Sequence, residues 1–344
     1  MKKRALCALL VLVLAFSLLP VPAYAEDYVK IDRSNFPDPG FRDYVAQFDT
    51  EEPKGFLSTR EIGEIKEINI HDEDITLLRG VEFFTELINL NCNSCSLRNL
   101  DVSKNTKLKE LSCSSNGLLR LDVSKNTALQ ELSCYSNEIT VLDLSNNKNL
   151  TYLDCDRNPL ETLDVSKNTA LQILMCYECK LTSLDISKNT KLKSLACYGN
   201  EIEKLDISRN PNLVKAYRKG QRDEYNGDYS YWISDGGNFY SIDLDATTSI
   251  VCVVPPKITT QPRSASVKAG SKVTFRVKAT GDQLKYQWYA RKPGTKKWAK
   301  VKNAVKATLT FKATAKMNGY KYRCRVYNRT ASVYSKTVTL KVKK

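Results

Sequence analysis

Apolar positions in this chain recur every 21 residues. Leu100, Leu121, Leu142, Leu163, Leu184 and Leu205 each open a block such as LDVSKNT or LDISKNT. Each full block continues as L-x-x-L-x-C-x-x-N-x-L, as in Leu108, Leu111, Cys113, Asn116 and Leu118. Alternation through L-x-C is the period of a short strand, with Leu and Cys turned inward and their neighbours outward. One register held over more than a hundred residues predicts a stack of coils, each giving one parallel strand at ~4.8 Å from the next. A less regular coil precedes them, starting at Ile65 and running through Ile68, Ile70 and Ile75. The expected solenoid spans 65–220.

The flanks follow other patterns. FPDPGFRDYVAQFDT and STREIGEIKEI read as two short helices, the second opened by a Ser58/Glu61 capping box, and predict a helical N-terminal cap over 26–64. Residues 221–254 alternate and are rich in Tyr and Gly, which predicts a β-rich C-terminal cap, since a bare stack end would expose core. Pro255-Pro256 breaks the chain, and VTFRV, YQW, LTF and GYKYRC then alternate as the short strands of an all-β sandwich over 257–344. At the start, MKKR, an apolar run and Ala23-Tyr24-Ala25 read as a secretory signal over 1–25. No later segment carries the eighteen or so apolar residues of a membrane span. The expected location is secreted, either extracellular or loosely associated with the cell wall.

The repeat, with cysteine at its third apolar position, resembles the leucine-rich repeat in its internalin-like and secreted clostridial forms. The last segment resembles a bacterial immunoglobulin-like domain, with Trp288 on the third strand and Tyr322 two residues before Cys324 as a tyrosine corner. Val277 stands where a disulfide partner for Cys324 would sit, and such domains commonly lack that bridge. The resemblance implies a β-rich leucine-rich-repeat solenoid followed by a sandwich, in an exported binding or adhesion protein.

Cys92, Cys113, Cys134, Cys155, Cys176 and Cys197 keep the 21-residue step. Zinc shared between Cys92/Cys95 and Cys176/Cys179 would have to reach across four coils, about 19 Å at the strand spacing, against ligand bonds of ~2.3 Å. Disulfides between adjacent coils need a dihedral near 90° that parallel, in-register Cβ vectors do not offer. The six are expected to be buried structural thiols, with no metal and no cofactor.

Outward strand positions then carry whatever binding there is. In the later coils they bring together Tyr135, Tyr152, Ile173, Met175, Tyr177, Tyr198 and Tyr217, with Asp154 and Asp156 beside them. A contiguous aromatic patch on the concave face suits a protein or carbohydrate ligand. Charge adds a second surface. From Lys257 on there are 24 Lys and Arg against one acid, Asp282, whereas 26–256 carries 26 bases and 37 acids. Strand alternation sends Arg276, Lys278, Arg323, Arg325, Lys341 and Lys343 outward, so the sandwich is expected to hold an anionic wall polymer or a glycosaminoglycan rather than nucleic acid.

Catalysis has little material. The one histidine, His71, has no partner in any motif, and no glycine-rich phosphate loop appears. The enzymatic alternative is a glycan-acting carboxylate pair, Asp154 with Asp156 or Glu131. A wall component without a specific ligand is the structural one. The reading taken is a non-enzymatic binding protein.

Overall fold

A computed structural model describes residues 28–71, 74–225 and 228–343, so the secretory signal read at 1–25 lies outside the described residues. The chain opens with β1 (Tyr28–Lys30), α1 (Pro39–Ala46), β2 (Phe56–Ser58) and α2 (Thr59–Glu64). Both helices start on side-chain caps, which satisfy backbone N–H groups that have no intrahelical acceptor. Asp38 Oδ1 accepts from Phe41 N at 3.1 Å, and its Oδ2 accepts from Thr76 N at 2.9 Å. One carboxylate thus caps the helix and pins it to the first coil. Ser58 and Glu61 form the reciprocal capping box of α2. Phe36, Phe41, Val45 and Leu57 are buried in the same cluster as the coils.

Then the repeat takes over. β3 (Glu67–Asn69), β4 (Asn89–Asn91), β5 (Glu110–Ser112), β6 (Glu131–Ser133), β7 (Tyr152–Asp154), β8 (Ile173–Met175) and β9 (Ser194–Ala196) pair in parallel, each with the next in the chain. The register keeps equivalent residues opposite one another, as in Leu111↔Leu132 and Leu132↔Leu153. Two asparagine ladders run along this stack. At the strand exit, Asn137 Nδ2 donates to the carbonyls of Cys113 and Cys134 at 3.0 Å, while its Oδ1 accepts from Leu118 N. In the SKNT turn, Asn126 Nδ2 donates to Val102 O and Asn105 O of the coil before. Asn105, Asn126, Asn147, Asn168, Asn189 and Asn210 are fully buried and repeat this bond, coil after coil. Backbone groups that a short strand leaves unpaired are satisfied in this way.

After β9 the chain leaves this sheet, and β10 (Lys204–Asp206) lies outside it. Asn210 belongs to the second ladder and Pro211 sits at the first helical position, where its missing N–H costs nothing, so α3 (Pro211–Lys219) begins there. β11 (Gln221–Tyr225), β12 (Asp228–Asp235) and β13 (Asn238–Asp245) then form an antiparallel meander. Gly236 and Gly237, both at positive φ, make the two-residue turn between β12 and β13. β13 re-enters parallel to β9, with Ile242 opposite Leu195 and Asp243 opposite Ala196. The result is one ten-stranded sheet in the order β11-β12-β13-β9-β8-β7-β6-β5-β4-β3. β14 (Ser249–Val251) pairs with β10 beside it.

The remainder is built from three hydrogen-bonded sheets. Its strands are β15 (Lys257–Thr260), β16 (Ala265–Lys268), β17 (Lys272–Arg276), β18 (Lys278–Thr280), β19 (Lys285–Arg291), β20 (Ala299–Lys300), β21 (Thr308–Lys312), β22 (Lys321–Tyr327), β23 (Ser332–Tyr334) and β24 (Val338–Lys343). The larger sheet runs β16-β24-β22-β19-β20, with β23 on β22, while β17 pairs with β21 and β15 with β18. Trp288, Phe275, Val277, Tyr322 and Cys324 are buried between them. Trp288 lies opposite Cys324, and its indole N–H donates to Lys306 O at 3.0 Å, as a buried indole must.

Two arginines join the two parts, the first being Arg209, which donates to Thr330 O at 2.6 Å. Arg218, in the last turn of α3, pairs with Asp282 at 2.6 Å and donates to Cys252 O at 2.7 Å. Asp282 also accepts from Val254 N, and Asn328 Nδ2 donates to Val254 O and Asp282 O. This gives Cys252 a place: its sulfur lies 3.1 Å from Arg218 Nε.

Candidate functional site

The six period-21 cysteines lie beneath the sheet as free thiols, fully or almost fully buried. Burial pushes the thiols of Cys113, Cys134, Cys155 and Cys176 far up, so a thiolate is disfavoured there. Their inward position follows from the alternation that places Ser112 and Ser133 on the other face.

The outward face opposite them carries the aromatic residues. Each coil turns just beyond its outward position through a residue at φ between +48° and +65°: Ser94, Ser115, Ser136, Arg157, Glu178 and Gly199. That turn brings the preceding side chains into line. Tyr177 and Tyr198 stack with centroids 4.6 Å apart and planes 8° from parallel. Arg157 lies over the Tyr177 ring at 5.6 Å and pairs with Glu178 at 2.8 Å. Both partners of that ion pair are about half exposed, so it steers orientation more than it stabilises. Tyr135, Tyr152, Ile173 and Met175 are half-buried on the same face.

Two expectations need correction. Asp154 and Asp156 are not beside the patch but under it, at 7% and 1% exposure. Larger neighbours roof them: the Tyr152 hydroxyl donates to Asp154 Oδ2 at 3.3 Å. Burial first, and the adjacent Asp156 second, push the Asp154 carboxyl up to about 8, so it holds a proton at neutral pH. Burial and Asp156 likewise push the Tyr177 hydroxyl up. A general acid must reach its substrate, and neither carboxylate is open to one. Tyr217 is the other correction. It lies on α3, because Pro211 starts a helix where the period would have placed a strand, and it packs on Tyr231 at 4.9 Å.

In the slot that Tyr217 was expected to fill, β13 supplies Ser241 and Asp243. Antiparallel pairing then adds Ser230 and Trp232 from β12, and Asp223 from β11, to the same face. A groove of about 500 Å³ opens there, lined by Arg157, Glu178, Tyr198, Asp223, Asp228, Tyr229, Ser230 and Asp243. Trp232 donates to Asp223 Oδ2 at 2.7 Å and stacks on Phe239, which is 55% exposed. Burial pushes the carboxyls of Asp243 and Asp228 up, with Asp245 and Glu178 adding repulsion at Asp228. An acidic floor whose carboxyls resist ionisation alone is relieved by a cation placed among them. Gly220 makes the return possible: a Cβ there would lie 2.6 Å from Trp232 O. The alternation of residues 221–254 is legible in the sequence, but nothing local says that β13 lands beside β9.

The cationic candidates divide between two faces. Arg276 and Lys278 are exposed on β17 and β18, whereas Arg323, Arg325, Lys341 and Lys343 lie on β22 and β24 of the larger sheet. The six therefore do not form one surface. Among the described residues no group of three or more His, Cys, Asp or Glu is placed to hold a metal, and no helix is long and apolar enough to cross a membrane.

Residues 255–328 match the family model of the immunoglobulin domain. Over its wider length the chain is similar to the functional domain of InlJ from Listeria monocytogenes, which includes a cysteine ladder. The identity is 18%, over 92% of this chain and 99% of that one, with a TM-score of 0.41. An internalin C2 from the same organism is 20% identical over 54% of this chain and 95% of that one, with a TM-score of 0.41. A stretch of 114 residues, 33% of the chain, is 31% identical to endoglucanase C of Cellulomonas fimi and spans 9% of that enzyme's length.

Proposed function

We propose that this is a surface or adhesion-type binding protein, exported from a bacterial cell, with two binding faces of opposite charge. The groove at the end of the ten-stranded sheet takes a segment of a partner protein that presents aromatic or apolar side chains together with positive charge. The meeting of Tyr198, itself stacked on Tyr177, with Asp223, Asp228, Asp243 and Glu178 in one groove carries this reading. Broad amphipathic rings anchor a partner, and carboxylates beside them select its charge. The basic immunoglobulin domain retains the protein on an anionic polymer, a wall polymer or a glycosaminoglycan, for which its single acid, already paired with Arg218, offers no internal substitute.

Screening the whole chain on protein and glycan arrays, then measuring affinity for the strongest hit, tests this. Tyr135, Tyr177 and Tyr198 changed together to Ser should weaken binding about tenfold or more if they are anchors, with thermal unfolding little changed. Asp223→Asn with Asp228→Asn should weaken a cationic ligand selectively. A glycan as the strongest hit, sensitive to the same tyrosines, would keep the site and change the ligand class. Unaltered affinity in both variants would remove the site from this face, and no ligand at all would favour the wall-component alternative.

A further inference from the structure

On the larger sheet of the immunoglobulin domain the arginines stand against rings. Arg323 and Arg325 alternate along β22 with the buried Tyr322, Cys324 and Val326, so both occupy its outer face. The Arg323 guanidinium lies 4.4 Å from the centre of the Trp298 ring and 4.2 Å from that of Tyr334. Arg291 approaches Trp298 at 5.0 Å, and Arg325 approaches Tyr327 at 4.7 Å. All four distances fall inside the range of cation–π attraction.

This arrangement differs from scattered surface charge in two respects. A guanidinium resting against a ring is positioned before any ligand arrives and can still donate from its terminal Nη groups. The forks are also uncompensated. Asp282 is the one acid from Lys257 onward and pairs with Arg218, and the Nε atoms of Arg323 and Arg325 are buried with no acceptor among the described residues. Arg323 and Arg325 sit two residues apart on one strand, a separation of about 6.7 Å. Tyr334 is 43% exposed beside them, and Tyr289 lies 6.0 Å from it.

We infer that this face, centred on Arg291, Trp298, Arg323, Arg325 and Tyr334, is a built oxyanion site for an acidic polysaccharide. Carboxylate or sulfate groups accept bidentate bonds from the forks, and a sugar ring rests on the exposed edge of Tyr334. The inference rests on the reading that the domain binds polyanions, and it goes further by assigning the binding to stacked arginines rather than to net charge.

Charge-conserving variants of the whole chain separate the two. Arg323→Lys with Arg325→Lys keeps the net charge, as does Trp298→Ala with Tyr334→Ala. Affinity for heparin at fixed salt should fall about tenfold in each, because fork geometry or its support is lost. Arg276→Gln with Lys278→Gln removes two charges from strands outside the larger sheet and should cost less than either. Thermal unfolding, followed alongside, should be unchanged in the double lysine variant, whose side chains keep their stems and exposure. Wild-type affinity in that variant would overturn the stacked site while leaving polyanion binding intact. A wild-type protein that ignores heparin at low salt would overturn the polyanion reading itself. Displacement of heparin by poly(glycerol phosphate) or duplex DNA far more readily than by soluble heparin would refute the polysaccharide assignment.

Discussion

Asn147→Ala should be among the most damaging small substitutions in the stack. Its side chain is fully buried and donates to Val123 O at 3.0 Å and Asn126 O at 2.9 Å, both in the preceding coil. Two neutral hydrogen bonds contribute about 1 kcal/mol each in net terms. Leaving a buried acceptor bare adds about 1–3 kcal/mol per group, but neither carbonyl becomes bare. Val123 O still accepts from Asn126 N at 3.0 Å, and Asn126 O from Leu129 N at 3.1 Å. The loss should therefore stay near the sum of the two bonds plus a small cavity, about 2–3 kcal/mol. Asn149 in the same turn supplies the control: exposed, with one bond to Thr127 O at 3.1 Å, it should cost under ~0.5 kcal/mol as Ala. Urea unfolding followed by far-ultraviolet circular dichroism measures both. An unchanged m-value would show that whole coils still unfold together. A loss below ~1 kcal/mol at Asn147, or one equal to that at Asn149, would refute the claim that this ladder couples the coils.

Cys134→Ala should cost on the order of 1 kcal/mol through a small cavity, and thiol reagents should find these cysteines unreactive until denaturant is added, because burial opposes the thiolate. Rapid labelling of the native protein would contradict this. Asp154 gives a pH prediction. An unfolded aspartate releases its proton near 3.9, while the folded one holds it to about 8. The folded state therefore binds more protons across that window, and the group's contribution to stability falls as pH rises through it. Asp154→Asn should flatten that fall, read as the difference between wild-type and variant melting temperatures from pH 4 to 8. A difference independent of pH would sink the account.

Legibility from sequence followed the range of the interactions. Leu111, Cys113 and Asn116 announce their roles because a strand fixes alternation locally and the period repeats it. The second asparagine ladder is as regular in SKNT but carries no local sign of burial, since a polar residue in a turn usually meets water and only the closing of one coil on another buries Asn105 or Asn147. Asp154 and Asp156 misled for a related reason. Alternation gives the side of the sheet but not the height of the neighbours, and here tyrosines overhang the carboxylates. Tyr217 sits on a helix because a nearby proline outweighs a period six coils long. The groove was least legible, because Asp223, Asp228 and Asp243 meet Tyr198 only when β13 takes a strand position that no neighbouring residue specifies.

The paired ladders also limit how the stack can change in length. An asparagine in one coil bonds carbonyls 21 and 24 residues earlier in the chain, and the same offsets recur in every coil. An insertion or deletion of any other length would misalign both ladders and every inward Leu and Cys beyond the break. Only whole units can be gained or lost without disturbing what lies on either side. Growth by duplication of entire coils would lengthen the sheet while leaving the terminal groove and the Arg218 junction chemically unaltered. The reach of the molecule can thus be tuned separately from what it recognises.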